Sequence, residues 1–424
     1  MRAMSLADVP DVARALPDPR SRILAAAGEI FRREGFAGTT VDAVAAIARM
    51  SKESIYDLFP TKSALFEAAV RASIDKHVYH GPAEGPAESV DAFLAHMGTS
   101  MFERYVEPMN FGLFRNNIEA ANHFPELAST LHEHRRQASQ ANAVHLQPWI
   151  DRGCLQTTDA LATVIRFSSL CIGGSRYFLG HPLPSKGERR QLVERTVSLF
   201  LDGYGSVTSG TPAAFAPPQP RSHHPATTVR MSTARIREML DAIEDEFLRH
   251  GYRSASIDRA VSVVKVGKTT VYRQFGNKEG VFRHIIEDRI VAEAERTYDT
   301  APDAATLEDA LASLARQALD NHCEGDNIHL HRLLIQESEA FPDLARAFYD
   351  AKIHALSKGL CAVTDRFGAP KPDQASIEDF HNLATSALRY VTTKDLPSRE
   401  ERTVDAAEVS RLFVRGMRSP PRLP

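Results

Sequence analysis

The stretch VGKTTVYRQFGNKEGVF, residues 266–282, sets Gly267, Lys268 and Thr269 in a row, a combination that can cradle phosphate. A phosphate loop needs another glycine five residues earlier, so that successive backbone N–H groups wrap the anion. Ser262 holds that position and the approach RAVSVVKV has no glycine-rich turn, so the nucleotide reading fails on spacing. HCEGDNIHLHR, residues 322–332, groups Cys323 with three histidines, but at a spacing that matches no standard zinc pattern. Cys154, Cys171, Cys323 and Cys361 are scattered without a CxxC pair, so neither a disulfide scaffold nor a metal site is expected. No nucleophile–base pair stands out either, so no enzyme activity and no cofactor are expected.

The composition belongs to a water-soluble globular chain. Of 424 residues, 43% are hydrophobic and 25% charged, and the formal net charge of −3 excludes a globally basic coat while leaving local basic patches open. No apolar run approaches the roughly 18 residues of a membrane span. The opening MRAMSLADVPDVARALPDP has acids and prolines where a signal peptide would carry its apolar core. A cytoplasmic protein is expected, with no membrane partner.

The elements that would position Lys268 occur twice. EGFAGTTVDAVAAIARMSKESIYDLFPTKSALF (34–66) overlies HGYRSASIDRAVSVVKVGKTTVYRQFGNKEGVF (250–282) without a gap. Gly35/Gly251, Asp42/Asp258, Lys52/Lys268, Tyr56/Tyr272, Phe59/Phe275, Lys62/Lys278 and Phe66/Phe282 are identical. Further on, IEAANHFPELA (118–128) echoes IQESEAFPDLA (335–345). A repeat of this length means two tandem units rather than a solenoid. Between them, GSVTSGTPAAFAPPQPRSHHPATT (205–228) reads as an exposed, partly stiff linker. Elsewhere apolar residues recur at helical spacing, as at Ile23, Leu24, Ala27, Ile30 and Phe31, with Gly35 placed to end that helix. Further helices are expected near 87–106, 125–147, 157–179 and 188–202, and again near 304–321, 342–364, 373–392 and 402–416. The fold class is all-α.

Each repeat reads as a short helix, a tight turn and a second short helix. Thr39 is expected to cap a helix over 40–47, with Asp42 favoured in its first turn, and Ser51 to cap the next helix to about Asp57. Two helices joined in this way form a helix-turn-helix, whose second helix fits the DNA major groove. Its first turn offers Lys52, Glu53 and Ser54 in one copy and Lys268, Thr269 and Thr270 in the other. Lysine donates to guanine O6 and N7, and threonine bonds several bases or touches a thymine methyl. Tyr56 and Tyr272 are placed to donate to phosphate, and Lys62 and Lys278 open the next helix, where cations and free N–H groups attract phosphate. Thr40, Ser256 and Arg273 complete the expected contact set for a double-stranded operator. Gly267-Lys268-Thr269 thus starts a DNA-reading helix.

Both copies resemble the N-terminal domain of the tetracycline-repressor (TetR) family of bacterial regulators. The carrying motifs are SKESIYDLFPTKSALF and GKTTVYRQFGNKEGVF, within about 47 residues per unit. The resemblance implies an all-helical repressor whose C-terminal domain binds a small ligand and dimerises through its last two helices. Those helices would be 157–179 with 188–202, and 373–392 with 402–416. The sequence departs from the family pattern where Arg49 and Lys265 replace the turn glycine. In the second copy, Ala255 and Gly267 replace the capping threonine and serine, and Asp57 stands where the second copy has Arg273.

The expected division is an arm (1–19), a first helix-turn-helix domain (20–66) and its helical ligand-binding-type domain (67–204). A linker (205–230), a second helix-turn-helix domain (231–282) and a second helical domain (283–424) follow. Phe102, Tyr105, Phe111, Phe114, Trp149 and Phe167 are candidates to line an apolar effector pocket, and the small residues of RFSSLCIGGSRYF (166–178) suit a helical interface. The two units are expected to pair either within one chain, as a pseudo-dimer, or between chains, as a homodimer. A protein-binding adaptor with a degenerate first helix-turn-helix is the alternative.

Overall fold

The computed structural model describes residues 18–76, 87–107, 111–112, 114–115, 118, 124–208, 231–393 and 395–419. The expected arm and linker lie almost wholly outside the described residues. The first head comprises α1 (Pro19–Gly38), α2 (Val41–Ala48), α3 (Lys52–Leu58) and α4 (Lys62–Lys76). Its body holds α5 (Val90–Val106), α6 (Pro125–Asp151), α7 (Ala160–Cys171) and α8 (Lys186–Asp202). The second head repeats the pattern as α9 (Thr233–Ser254), α10 (Ile257–Val263), α11 (Lys268–Phe275) and α12 (Lys278–Ala294). The second body holds α13 (Leu307–Cys323), α14 (Asn327–Gln336), α15 (Pro342–Arg366), α16 (Gln374–Thr385), α17 (Ala387–Val391) and α18 (Arg399–Arg415). No strand occurs among the described residues, only an isolated bridge between Leu155 and Arg418.

Local chemistry explains the helix starts. Asp18 caps α1 by accepting from the Ser21 N–H at 2.9 Å, and Pro19 fills the first helical position, where no N–H is needed. The apolar stripe of α1 is buried at Ile23, Ala27, Ile30 and Phe31. Its aromatic end ties head to body: Phe31 meets Phe66 edge-on at 4.9 Å, and Phe66 meets Phe124 at 5.2 Å. The same knot recurs as Phe247–Phe282 at 5.1 Å and Phe282–Phe341 at 4.8 Å. Such ring pairs add to the area they bury, because the positive edge of one faces the negative face of another.

Two expected helices are interrupted. The helix expected over 157–179 stops at Cys171, because Gly173 and Gly174 take φ of 64° and 57°, and the chain resumes as a 3-10 turn over Arg176–Leu179. The helix expected over 373–392 breaks at Ser386, φ 42°, into α16 and α17. Helical periodicity continues through both breaks, so spacing alone could not reveal them.

The two bodies pack against each other through α7 and α8 of one unit and α16 and α18 of the other. Ser185–Gly203 and Ser398–Gly416 correspond residue for residue, and each helix begins with a capping box, Ser185/Glu188 and Ser398/Glu401. Just past each helix a glycine lies on the opposite chain segment. A Cβ on Gly203 would overlap the Val414 carbonyl, and one on Gly416 would overlap the Leu201 carbonyl. Met417 N–H donates to Phe200 O at 2.8 Å and Arg418 N–H to Leu201 O at 2.8 Å, while the rings of Tyr204 and Phe413 stack at 4.7 Å. Around this crossing, charges are sorted. Arg166 pairs with Asp405 and Glu408, Arg176 with Glu378, Arg195 with Asp373 at 3.0 Å, and Arg115 with Glu339. In return, Arg418 pairs with Asp91 at 2.7 Å and Asp202 at 2.5 Å.

Gly203→Ala and Gly416→Ala should each destabilise the protein by about 2 kcal/mol or more, since backbone atoms must move as well as φ. Gly325→Ala, at φ 57° with nothing within 4 Å of the new methyl, should lose only the conformational cost of about 1 kcal/mol. Chemical denaturation of the three variants measures the difference.

Candidate nucleic-acid interface

Each reading helix is set by a cap, a strained turn and an ion pair. Thr40 caps α2, accepting from the Ala43 N–H at 3.2 Å, while the neighbouring Thr39 hydroxyl donates back to Gly35 O at 2.7 Å. The expected cap at Thr39 is therefore corrected by one residue. The same shift restores the cap in the second head, where Ser256 accepts from the Arg259 N–H at 3.3 Å and Ala255 has no capping duty. The turn between the helices places Arg49 and Lys265 at φ 53°, in the left-handed region. That conformation costs a non-glycine residue about 1 kcal/mol, and both side chains are exposed beside the reading helix.

α3 starts at Ser51, whose hydroxyl accepts from the Ser54 N–H at 3.0 Å and sits 2.8 Å from the Ser54 hydroxyl. α11 starts at Gly267 with no side-chain cap, and while the Thr270 N–H donates to Gly267 O at 2.9 Å, no side chain competes for the N–H groups of Lys268 and Thr269. Lys52 Nζ donates to Asp42 at 2.9 Å and Lys268 Nζ to Asp258 at 2.8 Å. The hydrogen bond and charge of each aspartate hold the lysine above its ordinary pKa. Both pairs are solvent-exposed and of small net worth, so exchanging the carboxylate for a phosphate or a base costs little. The spacing supplied a signal for this contact, because both aspartates and both lysines are identical in the two copies, ten residues apart.

Tyr56 and Thr269 are exposed, Thr270 and Tyr272 half-buried, and Lys268 Nζ lies 5.5 Å from the Tyr272 ring centroid. Lys62 Nζ sits 4.6 Å over the Phe36 ring. Lys278 is committed more deeply. Its ammonium donates to Ala255 O at 2.7 Å and Arg253 O at 3.2 Å, and burial draws its pKa down. Arg259, a cation by count, is bound by Glu246, with Nε to Oε2 at 2.9 Å. Burial opposes ionisation of Glu246, but Arg259 and the Ser256 N–H keep the carboxyl below its usual range. No sequence signal marked Glu246, because Ile30 occupies its place in the first head. The open charge of the second head therefore resides in Lys265 and Arg273, both exposed, against Arg49 accompanied by Glu53 and Asp57 in the first. The heads touch where the Arg253 guanidinium covers Gly38, 4.0 Å from the Glu34 carboxylate.

The six aromatics nominated for a ligand site fall into three packing groups. Phe102, Tyr105, Phe111 and Phe114 gather around Tyr177 and Phe178, Trp149 packs on Phe93 and Arg152, and Phe167 packs on Phe200. A groove of about 560 Å³ lies elsewhere, lined in part by His132, Arg389, Tyr390, Leu396 and Glu400. No group of three or more histidine, cysteine or acidic side chains suited to a metal occurs among the described residues. No helix among them is long and apolar enough to cross a membrane.

Two exposed reading helices, each behind a capped positioning helix and joined to a helical body, define a DNA-binding regulator fold. The description "Bacterial regulatory proteins, tetR family" matches residues 23–69 and 239–285, and "AefR-like transcriptional repressor, C-terminal domain" matches 92–206 and 309–414. The chain belongs to the TetR family, with both domains present twice in tandem. Among solved structures, it is similar to the Flavonoid-responsive Regulator FrrA, with 22% identity over 43% of this chain and 94% of that one, at a TM-score of 0.36. A TetR regulator from Agrobacterium tumefaciens is 22% identical over 42% of this chain and 90% of its own, at 0.37. Another, from Pseudomonas syringae pv. tomato, is 22% identical over 43% and 95%, at 0.33. No curated protein matches the chain.

Replacing Lys265 or Arg49 by glycine should raise stability by about 1 kcal/mol, because the left-handed turn no longer strains a side chain. For Lys265→Gly the same change should weaken DNA binding and flatten its salt dependence. Parallel unfolding and DNA titrations at several salt concentrations check both effects.

Proposed function

We propose that the protein is a sequence-specific transcriptional regulator, a repressor controlled by a small effector, that carries both DNA-reading heads of a dimer in one chain. The observation that carries this reading is the charge-sorted seam between the bodies. In a pairing of two first units, the position of Glu408 would be taken by Arg195 and that of Asp405 by Leu192, so Arg166 would face another arginine. In a pairing of two second units, Phe380 would replace Arg166 opposite those acids. Arginine against arginine in the first case, and seam acids deprived of their cation in the second, disfavour both alternatives. Unit one therefore prefers unit two, and residues 205–230 keep the two at high effective concentration.

In this reading 20–66 and 231–282 are the DNA-binding domains, and 67–204 and 283–424 the helical bodies. Lys52, Ser54, Lys268, Thr269 and Thr270 read bases. Tyr56, Tyr272, Lys62, Lys278 and Arg273 hold the backbone, while Thr40 and Ser256 set the helix starts beside it. The protein works in the cytoplasm, where its operator is accessible.

Light scattering should give a main species near 46.8 kDa; a dominant species of twice that mass would defeat the one-chain pairing. Selection from random DNA should return an asymmetric site, because the two reading turns differ. Lys268→Ala should weaken binding several-fold more than Lys52→Ala, with each lost phosphate contact lowering the log–log salt slope by about 0.9. A palindromic site with matched losses would overturn the inequality of the heads. Binding insensitive to salt would favour the adaptor.

A further inference from the structure

The two bodies have diverged at one set of equivalent positions. Residues 102–128 correspond to 319–345 without a gap, and α7 corresponds to α16 from its capping aspartate onward, Asp159 to Asp373. Phe102, Tyr105, Phe111, Phe114 and Phe167 of the first body thus become Leu319, His322, Ile328, His331 and His381 in the second. The shared Arg-Tyr pairs, 176–177 and 389–390, align Phe178 with Val391. In the first body these rings fill their own space. Phe111 stacks on Phe178 at 4.2 Å, with Phe114 at 5.5 Å and Tyr105 at 5.6 Å from the same ring.

In the second body every one of those exchanges removes volume, and three of them introduce an imidazole. His322, His331 and His381 are all buried, as are Tyr349, Lys352 and Asn382. The rings of His322 and His331 meet at 5.0 Å, and His331 lies 5.8 Å from Phe348, over which Lys352 Nζ sits at 4.9 Å. His381 meets Tyr349 at 5.8 Å. His322 Nε2, His331 Nδ1, His381 Nδ1, Tyr349 OH and Asn382 Oδ1 lack a well-formed hydrogen bond in the protein, the neighbouring His381 and Asn382 side chains having only each other. Leaving such an atom unpaired costs about 1–3 kcal/mol, and native interiors hold few of them. Here five occur together, four of which can donate (the three ring nitrogens in the matching tautomer and the Tyr349 hydroxyl), while Asn382 Oδ1 can only accept.

The charges are also incomplete. Lys352 Nζ is 3.8 Å from Glu293, and the same carboxylate holds Arg296 at 3.3 Å, so two cations share one anion. Burial depresses the pKa of Lys352 and of all three imidazoles, and the Lys352 charge adds to the effect on each histidine. An anion would reverse both penalties. It would supply the missing countercharge and accept hydrogen bonds from the free ring nitrogens and the tyrosine hydroxyl.

We propose that this imidazole-lined interior of the second body binds one small organic acid per chain, its carboxylate held by Lys352 and the histidines, and that the ring-filled first body binds none. The proposal rests on the ligand-controlled reading above and names the effector's class. The site also reaches the seam: His331 Nε2 is 3.0 Å from the Ser175 hydroxyl, the His181 ring is 5.2 Å from Tyr349, and Asn382 lies against Gly174. An acid bound here therefore acts on the relative placement of the two units, and so on the heads.

The test uses the full chain, first without DNA for acid binding and then in DNA titrations with and without the acid. Benzoate, phenylacetate and hexanoate, each with its uncharged amide, are titrated by calorimetry while the histidine ring signals are followed by NMR. At least one acid should bind once per chain, about tenfold or more tightly than its amide, and move three histidine signals. Lys352→Met should erase the preference for the acid. The triple change His322→Tyr, His331→Phe and His381→Phe, which restores the first body's rings, should abolish binding while DNA binding persists. The site is overturned if no acid binds, if acid and amide bind alike (interior water alone then satisfying these groups), or if two bind per chain. Acid binding that leaves DNA affinity unchanged would uphold the site and sink ligand control. Loss of the site with DNA binding intact would leave the regulator standing.

Discussion

The architecture depends on how closely α8 and α18 can cross. Gly203 and Gly416 each lie against the backbone of the other segment, where any side chain would collide with a carbonyl oxygen. That approach lets Met417 and Arg418 donate their N–H groups to Phe200 and Leu201, and it brings Tyr204 face to face with Phe413. Each body is then held in one orientation relative to the other. Each head is joined to its body by the Phe31–Phe66–Phe124 knot or its counterpart, so the crossing also fixes where the two reading helices stand. Under the ligand control proposed above, these packed rings are the contiguous path by which a rearrangement at the seam would reach the heads.

Within that frame, the two units have become chemically different. Among the described residues, the arginines at the seam stand mostly on the first unit and their acids on the second, the exposed cations of the heads lie mostly on the second, and the buried imidazoles lie in the second body. A symmetric dimer cannot make these distinctions, because any substitution appears twice. Duplication within one chain allows one half to read DNA more strongly and one interior to be polar.

Much of the fold was legible because its signals are local. Gly35 and Gly251, the caps, the Lys-x-x-x-Tyr spacing and the aromatic pairs recur at a fixed offset, and each describes a contact within about one helical turn or one loop. The cap register was misread by one residue because Thr39 and Thr40 are adjacent, and only the chain direction after Gly35 decides which hydroxyl faces the helix. The breaks at Gly173 and Ser386 were hidden by apolar periodicity that runs on through them. The seam was illegible for a different reason. Arg195 and Asp373, or Arg166 and Glu408, are joined only by tertiary packing. Likewise, zinc spacing was a question about 322–332 alone, whereas His381 joins His322 and His331 only through the bundle.

The sorted seam has a consequence for synthesis. The first body leaves the ribosome with Arg166, Arg176 and Arg195 before any of their carboxylates has been made. Two nascent chains meeting on a polysome would present arginine to arginine, a poor contact for premature association. If the two units pair within one chain as proposed, the half-made protein would thereby be kept from pairing with its siblings until its own second half emerges.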